Sequence, residues 1–437
     1  MEPRFKNLVA ALNDHGKKVR LASLRQLMAA IEAGALDTPI QFDCVNNHIH
    51  STYSFSPYSP TKAIWEAYRA GLSSAGIMDH DSICGAYEFI EAGALVGIAT
   101  TIGVECRADF SMTPLRGRRF NNPDQLSNAY ITLHGIPHDR IAAVKEYFEP
   151  IIVARHKRNR IMVDRINQQI FPFAPRLDYE RDVLPLSNHH DGGTVTERHL
   201  LLALARRLVS AFGREEPLID FLKGNLRLPV PPNVIAQLRD HDNFFFEYDL
   251  LGLLKGEFVN AFYVDATDEC PEIGRLISFA KSIDGICAYA YLGDVGTSVT
   301  GDKRSQKFED AYLDQLIFFV KSIGFNAVTY MPSRNSTDQL ERLMNLCRKN
   351  GLLQISGEDI NSPRQLFICE TLKKKEFRHL VDTTWALIGH EKAATADGKA
   401  GFFAEEVVKR YPDLNERIQV FKKFGLGDED KSGQVAR

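Results

Sequence analysis

The chain lacks any Cys-x-x-Cys pair. Its seven cysteines (44, 84, 106, 270, 287, 347 and 369) are odd in number and widely spaced over 437 residues. That argues against a zinc ribbon, a thioredoxin-type redox pair or a disulfide framework, and fits free thiols in a reducing compartment. Long apolar runs are also missing. The longest uncharged stretch, Ala92 to Val104, is too short to cross a bilayer. The N-terminal MEPRFKNLVAALNDHGKKVR is too charged for the apolar part of a signal peptide. A soluble, cytoplasmic protein without membrane association is therefore expected. Neither sign of charge is in excess: 53 Lys plus Arg stand against 56 Asp plus Glu, a net charge of -3. No global field attracts long nucleic acid, so any polyanion contact must come from a local basic cluster. We find no internal repeat, no Gly-x-Ser-x-Gly elbow and no P-loop pattern, which removes support for solenoids, serine hydrolases and P-loop kinases. What is present, 44% apolar and 25% charged residues, is the composition of a globular protein with a full core.

Periodicity divides the chain into five stretches. Residues 1–39 place apolar side chains at helical spacing and read as a short helical extension. Residues 40–145 alternate short apolar runs with helical segments, which argues for βα units and a mostly parallel sheet. Residues 146–250 read as a helical insertion, divided by the loop LPLSNHHDGGT. Alternation returns over 251–393, and 394–437 is a short helix or two with a polar tail. The fold class is α/β.

Chemistry collects where apolar runs end. In Val45-Asn46-Asn47-His48-Ile49-His50, residues two apart share a strand face, so His48 and His50 project together as half a metal site. Gly76-Ile77-Met78-Asp79-His80-Asp81 places three titratable groups directly after a buried run. That is costly unless they are paired or metal-bound. Here His80 is a candidate ligand, Asp79 a candidate acceptor orienting an imidazole, and Asp81 or Ser82 a candidate cap for the following helix. Glu105 ends Ile102-Gly103-Val104; the plain alternative for it is an ion pair with Arg107. His134 ends Ile131-Thr132-Leu133, and Asp359 follows Leu353-Gln354-Ile355-Ser356-Gly357-Glu358.

Taken together, the order HxH, DHD, GxE, His and GxD resembles the polymerase-and-histidinol-phosphatase (PHP) family over residues 41–137 and about 280–365. The resemblance implies a distorted (β/α)7 barrel, with the helical block as an insertion and a cluster of divalent transition metals (Zn, Mn or Fe) at one mouth. It implies that His48, His50, Glu105 and Asp359 hold one ion. Glu105 would bridge to a second that also takes His134, and His80 would serve a third position with Asn361 or a group from the Ser54–Ser59 loop. It makes Asp79, His80 and Glu105 the catalytic candidates. Two departures bear on the metal count. Asp-x-His of many members is Asp359-Ile360-Asn361 here, and a histidine position in the GICAYA run is Tyr291. Two ions, with a third position open, is the expectation.

The implied activity is hydrolysis of a phosphoester by metal-activated water, most simply on a small phosphomonoester. A nucleotide or 5′ exonuclease substrate is the alternative, and a barrel that binds without turnover is a third reading. For the substrate phosphate, Arg334 after the TYMP run and the cluster Arg116, Arg118 and Arg119 are the candidates, with Tyr291 beside them. A second basic run, Arg155 to Arg160, is a further candidate, and the plain alternative for both runs is a solvated face. His390-Glu391 is not followed by a second histidine at i+4 and is set aside. Nothing in the sequence sets the oligomeric state.

Overall fold

Seven apolar runs become the β-strands of one sheet: β1 Val45–Ile49, β2 Ser74–His80, β3 Ala99–Asp109, β4 Asn128–His134, β5 Ile286–Tyr291, β6 Ala327–Tyr330 and β7 Leu353–Ser356. The computed structural model describes residues 2–295 and 307–427. The strands pair in chain order, β1 to β7. The sheet then closes on itself, because Ile49 bridges Ile360 in parallel just past β7. The result is a seven-stranded, nearly closed barrel.

The sheet is mostly parallel, as expected, with one reversed strand. That strand is β4, which runs antiparallel to both β3 and β5. Residues 110–127 between β3 and β4 contain no helix. Without a crossover element the chain can only return alongside β3 in the opposite direction.

Helices cover the barrel. Helices α1 Pro3–Ala11 and α2 Lys17–Glu32 form the N-terminal extension. It is pinned by a buried ion pair in which Arg20 Nε donates to Glu88 Oε1 at 2.7 Å. Glu88 lies in α4 Ala86–Val96, beside α3 Pro60–Ala70. Glycines 71 and 97 end α3 and α4 in the left-handed conformation that suits them. Helix α5, Ile141–Ile170, belongs to two cores at once. Its Ile141, Val144, Phe148 and Ile151 pack on the barrel, while Met162, Val163, Ile166 and Ile170 enter a separate apolar cluster. A boundary at residue 146 would therefore cut a continuous helix. That second cluster contains the helices α6 Glu197–Phe212, α7 Glu216–Asp220, α8 Pro232–Arg239 and α9 Phe246–Glu257, and runs on to Phe262. The barrel resumes with α10 Ile273–Ser282, α11 Leu313–Ile323 and α12 Thr337–Asn350, the last opened by a capping box of Ser336 and Gln339.

Helix α13, Arg378–Ala396, stoppers the N-terminal mouth of the barrel. Its Ala386 and Leu387 meet Ile286, Ala327, Leu353 and Ile355, the inward residues at the starts of β5, β6 and β7. Glu391 of the discarded His-Glu pair is structural: it accepts from Ile102 N at 2.8 Å, and burial lifts its carboxyl to about 7. Helix α14, Glu405–Arg410, and α15, Leu414–Leu426, complete this end. The polar tail 428–437 lies outside the described residues. Among those residues, no helix is long and apolar enough to cross a membrane.

Helices α13 and α15 cross at a glycine pair. A Cβ on Gly425 would lie 2.0 Å from Trp385 O, and one on Gly389 2.1 Å from Phe421 O. Backbone on both sides leaves nothing that can swing away. Gly425→Ala is expected to destabilise the fold by about 1–3 kcal/mol, the usual cost of overpacking. Thermal denaturation beside the wild type checks this, and an unchanged melting temperature would contradict the crossing.

Candidate metal centre

The C-terminal strand ends of the barrel carry the histidines and acids. Register does the first part of the work. His80 is directly opposite Glu105 in the β2–β3 ladder, so both side chains stand side by side on the inner face. Barrel closure does the second. His50 N donates to Ile360 O at 3.0 Å and Ile360 N to His48 O at 3.1 Å, which brings Asp359 beside the two histidines of β1. Gly357 permits that approach, since a Cβ there would be 2.5 Å from His48 Cβ.

The result is tight. Glu105 Oε2 lies 3.1 Å from His80 Nδ1, 3.5 Å from His48 Nε2 and 3.8 Å from His50 Nε2, while His50 Nε2 is 3.2 Å from Asp359 Oδ1. Two groups, His48–His50–Asp359 and His50–His80–Glu105, each gather their ligand atoms within 4.8 Å. Glu105 does not pair with Arg107, which turns instead to Glu197 and Glu269. The plain alternative for Glu105 is thereby removed.

Buried polar atoms here have no hydrogen-bond partner: His48 Nε2, His50 Nε2, His80 Nδ1, His134 Nε2 and Asn361 Oδ1. Such atoms are expensive to bury and are the donor set that a divalent transition ion satisfies. Protonation states agree. Burial pushes His80 and His134 down to about 3, keeping the imidazoles neutral. Burial alone would raise Glu105, but the neighbouring histidines pull it down to about 2, so it is a carboxylate. His48 differs: burial lowers it, but Glu105 and Asp359 raise it on balance, so it gives up its proton when it ligates an ion. The residues present fit divalent ions.

Not every candidate reaches the centre in the same way. Asp79 is buried behind it. Its carboxylate accepts from Ser51 N, Ser51 Oγ and Ser54 Oγ, each at 2.6 Å. Ser54 Oγ in turn lies 3.2 Å from His50 Nδ1, so Asp79 orients His50 through Ser54 instead of facing substrate. His134 sits deeper, two residues beyond Thr132, the residue opposite Glu105 in the ladder. It belongs to neither group of converging atoms. Asn361 donates to Asp359 Oδ1 at 2.6 Å, and its own oxygen is buried without a partner. Asp81 caps no helix, because Gly85 holds that position without a side-chain cap and Asp81 pairs with Arg155.

The substrate-side candidates fare differently. Tyr291 contributes to the cavity wall, but its hydroxyl donates to Asp310 Oδ1 at 2.6 Å, so it does not fill a vacated ligand position. Arg334 donates to Leu292 O at 3.0 Å and is not part of the cavity wall. Neither are Arg116, Arg118 and Arg119: the first two are exposed, Arg118 lies over the Tyr312 ring, and Arg119 bonds loop carbonyls at Asn122 and Pro123. Other cations line the cavity, of which the sequence reading offered Arg155 as part of a basic run and missed Arg198 and Lys255. All three come from the helical insertion folded over the barrel mouth. Their helical spacing looked like a solvated face, and only the packing of α5, α6 and α9 on the barrel reveals otherwise.

Residues 46–191 match the family model of the PHP domain. Over 60 residues it is 40% identical to error-prone DNA polymerases of Mycobacterium tuberculosis and Mycobacterium bovis, and 42% identical to that of Nocardia farcinica. That match covers 13% of this chain and only 5–6% of those polymerases. Two solved structures are similar in outline. One, from Bifidobacterium adolescentis, is described as a metal-dependent phosphoesterase; it is 20% identical, with a TM-score of 0.48 over 77% of this chain and 96% of that one. The other, an amidohydrolase from Chromobacterium violaceum with bound sulfate and no metal, is 18% identical, with a TM-score of 0.48 over 74% and 90%.

Because Asp79 acts through Ser54, Asp79→Asn is expected to weaken divalent-metal affinity by about 10–100-fold while every ligand stays in place. Titration of the chelator-treated protein with manganese or zinc measures it. Wild-type affinity in the variant would show that the relay does not position His50.

Proposed function

We propose that the protein is a metal-dependent phosphoesterase acting on a small phosphomonoester. The observation that carries this reading is the convergence of His48, His50, His80, Glu105 and Asp359 beside a cavity of about 270 Å³, with buried ring nitrogens of the three histidines left without a hydrogen-bond partner. His48, His50 and Asp359 would hold one ion, and Glu105 would bridge toward a second beside His80. When bound, such ions polarise phosphoryl oxygens and bring the pKa of a coordinated water toward neutrality.

The chain's own residues do the rest. Glu105 and Asp359 supply the negative charge that offsets two divalent cations. Ser54 and Asp79 fix the ring plane of His50. The insertion walls the cavity with cationic side chains, which suits a phosphoryl dianion. No nucleophilic side chain is required.

A nucleotide or short single-stranded oligonucleotide is the second reading. It is favoured by an adjoining cavity of about 800 Å³ that shares Arg198, Asp359 and Asn361 with the first. Its lining holds Asp249, Glu257, Glu358 and Glu370 besides Arg198 and Arg364, an acidic balance that disfavours a long polyanion.

The test is metal content with turnover. Protein purified without chelator is assayed on a small phosphomonoester and on a short single-stranded oligonucleotide, with His48→Ala beside it. The expected result is at least two transition ions in the wild type, fewer in the variant, and about a thousandfold or greater loss of phosphomonoester turnover. Bound metal without hydrolysis of either substrate would overturn the phosphoesterase reading and leave a binding module.

A further inference from the structure

Six charges, five of them buried and Glu197 half-buried, form one network beside the metal centre. Arg107, Arg155 and Arg158 face Asp81, Glu197 and Glu269. Arg107 reaches Glu197 at 3.2 Å and also pairs with Glu269; Arg158 reaches Glu269 at 2.8 Å and also pairs with Glu197. Arg155 Nε lies 3.1 Å from Asp81 Oδ2 and 3.6 Å from Glu269 Oε1. Three cations thus meet three anions, contributed by the barrel, by α5 and the first turn of α6, and by the segment before α10. Charges this deep persist only when paired.

Arg155 differs from the other two arginines. It lines the same cavity as His48, His80 and Glu105, whereas Arg107 and Arg158 do not. Its side chain is only 3% exposed, and both of its ion pairs are made through Nε. The anchor is Asp81, the residue directly after His80. Asp81 has a φ of 51°, in the left-handed region, and its main-chain N–H donates to Glu105 O at 2.8 Å. That turn sends the Asp81 carboxylate to Arg155 while His80 points to Glu105. One strand end therefore fixes both a candidate ligand and the guanidinium.

Resting on the phosphoesterase reading, we propose that Arg155, delivered by the helical insertion, is a substrate-binding residue whose Nη edge clamps non-bridging oxygens of the phosphoryl group at the metal centre. Two carboxylates hold the guanidinium by charge from its Nε side, where Nε itself makes no hydrogen bond, and two parallel Nη–H donors match two phosphoryl oxygens. Asp81 and Glu269 offset the cost of keeping the cation buried before substrate arrives. The insertion is then part of the active site and not an accessory to it.

Inorganic phosphate is the probe, titrated calorimetrically into the metal-loaded full-length protein. Arg155→Lys keeps the charge and removes the fork. Arg158→Lys makes the same change in the same network but away from the cavity. Arg155→Lys is expected to weaken phosphate binding by about 10–100-fold, the worth of a charge-assisted bidentate contact, with metal content retained. Arg158→Lys is expected to lower the melting temperature and leave phosphate affinity unchanged. Wild-type affinity in Arg155→Lys, an equal loss in both variants, or loss of metal from Arg155→Lys would each overturn the assignment. Phosphate affinity is read without turnover, so a failure of the phosphoesterase reading registers separately, as a wild type that hydrolyses neither substrate.

Discussion

Two main-chain hydrogen bonds, His50 N to Ile360 O and Ile360 N to His48 O, close the barrel, and the site depends on them. They form at the level of the ligand side chains. Without them β1 and the end of β7 would splay, and Asp359 would leave His50. Closure needs a close approach of the two chains, and Gly357, with no Cβ to strike His48, allows it. The opposite mouth is held by α13, whose Ala386 and Leu387 fill the interior below the site. The barrel is thus a packed plug at one end and a polar cavity at the other, as active sites on parallel barrels require.

The cost of that polar cavity is met in layers. Burial holds His80 and His134 low, while His48 and Glu105 stabilise each other's charge. Behind them Asp79 gathers Ser51 and Ser54 and so fixes His50. Above them the insertion adds its own apolar core and buried ion network. Helix α5 ties the two bodies together, because one continuous helix packs in both cores. Phe55, from the loop after β1, is buried in the insertion's core and adds a second tie close to Ser54.

Much of this was legible along the chain. The seven strands, the capping of α12 by Ser336 and the ligand-bearing strand ends follow from apolar runs and local chemistry, which are properties of contiguous residues. The facing of His48 and His50 follows from the two-residue period of a strand. What was not legible is nonlocal. The reversed direction of β4 depends on the absence of a crossover helix over 110–127, a stretch whose composition reads as ordinary loop. Tyr291 looked like a substituted ligand by position, but Asp310, nineteen residues on, takes its hydroxyl.

The sequence by itself determined the class of fold and which residue types gather at strand ends, because strand period, helix caps and metal-ligand chemistry are written in short stretches. Only the tertiary structure decided which cations face the cavity. Arg116, Arg118 and Arg119 lie closer in sequence to the ligands than Arg155 does, yet Arg155 is the one that arrives. The reason is physical: a buried arginine needs carboxylate partners, and Asp81 and Glu269, 74 and 114 residues away along the chain, become its neighbours only when the insertion folds over the barrel.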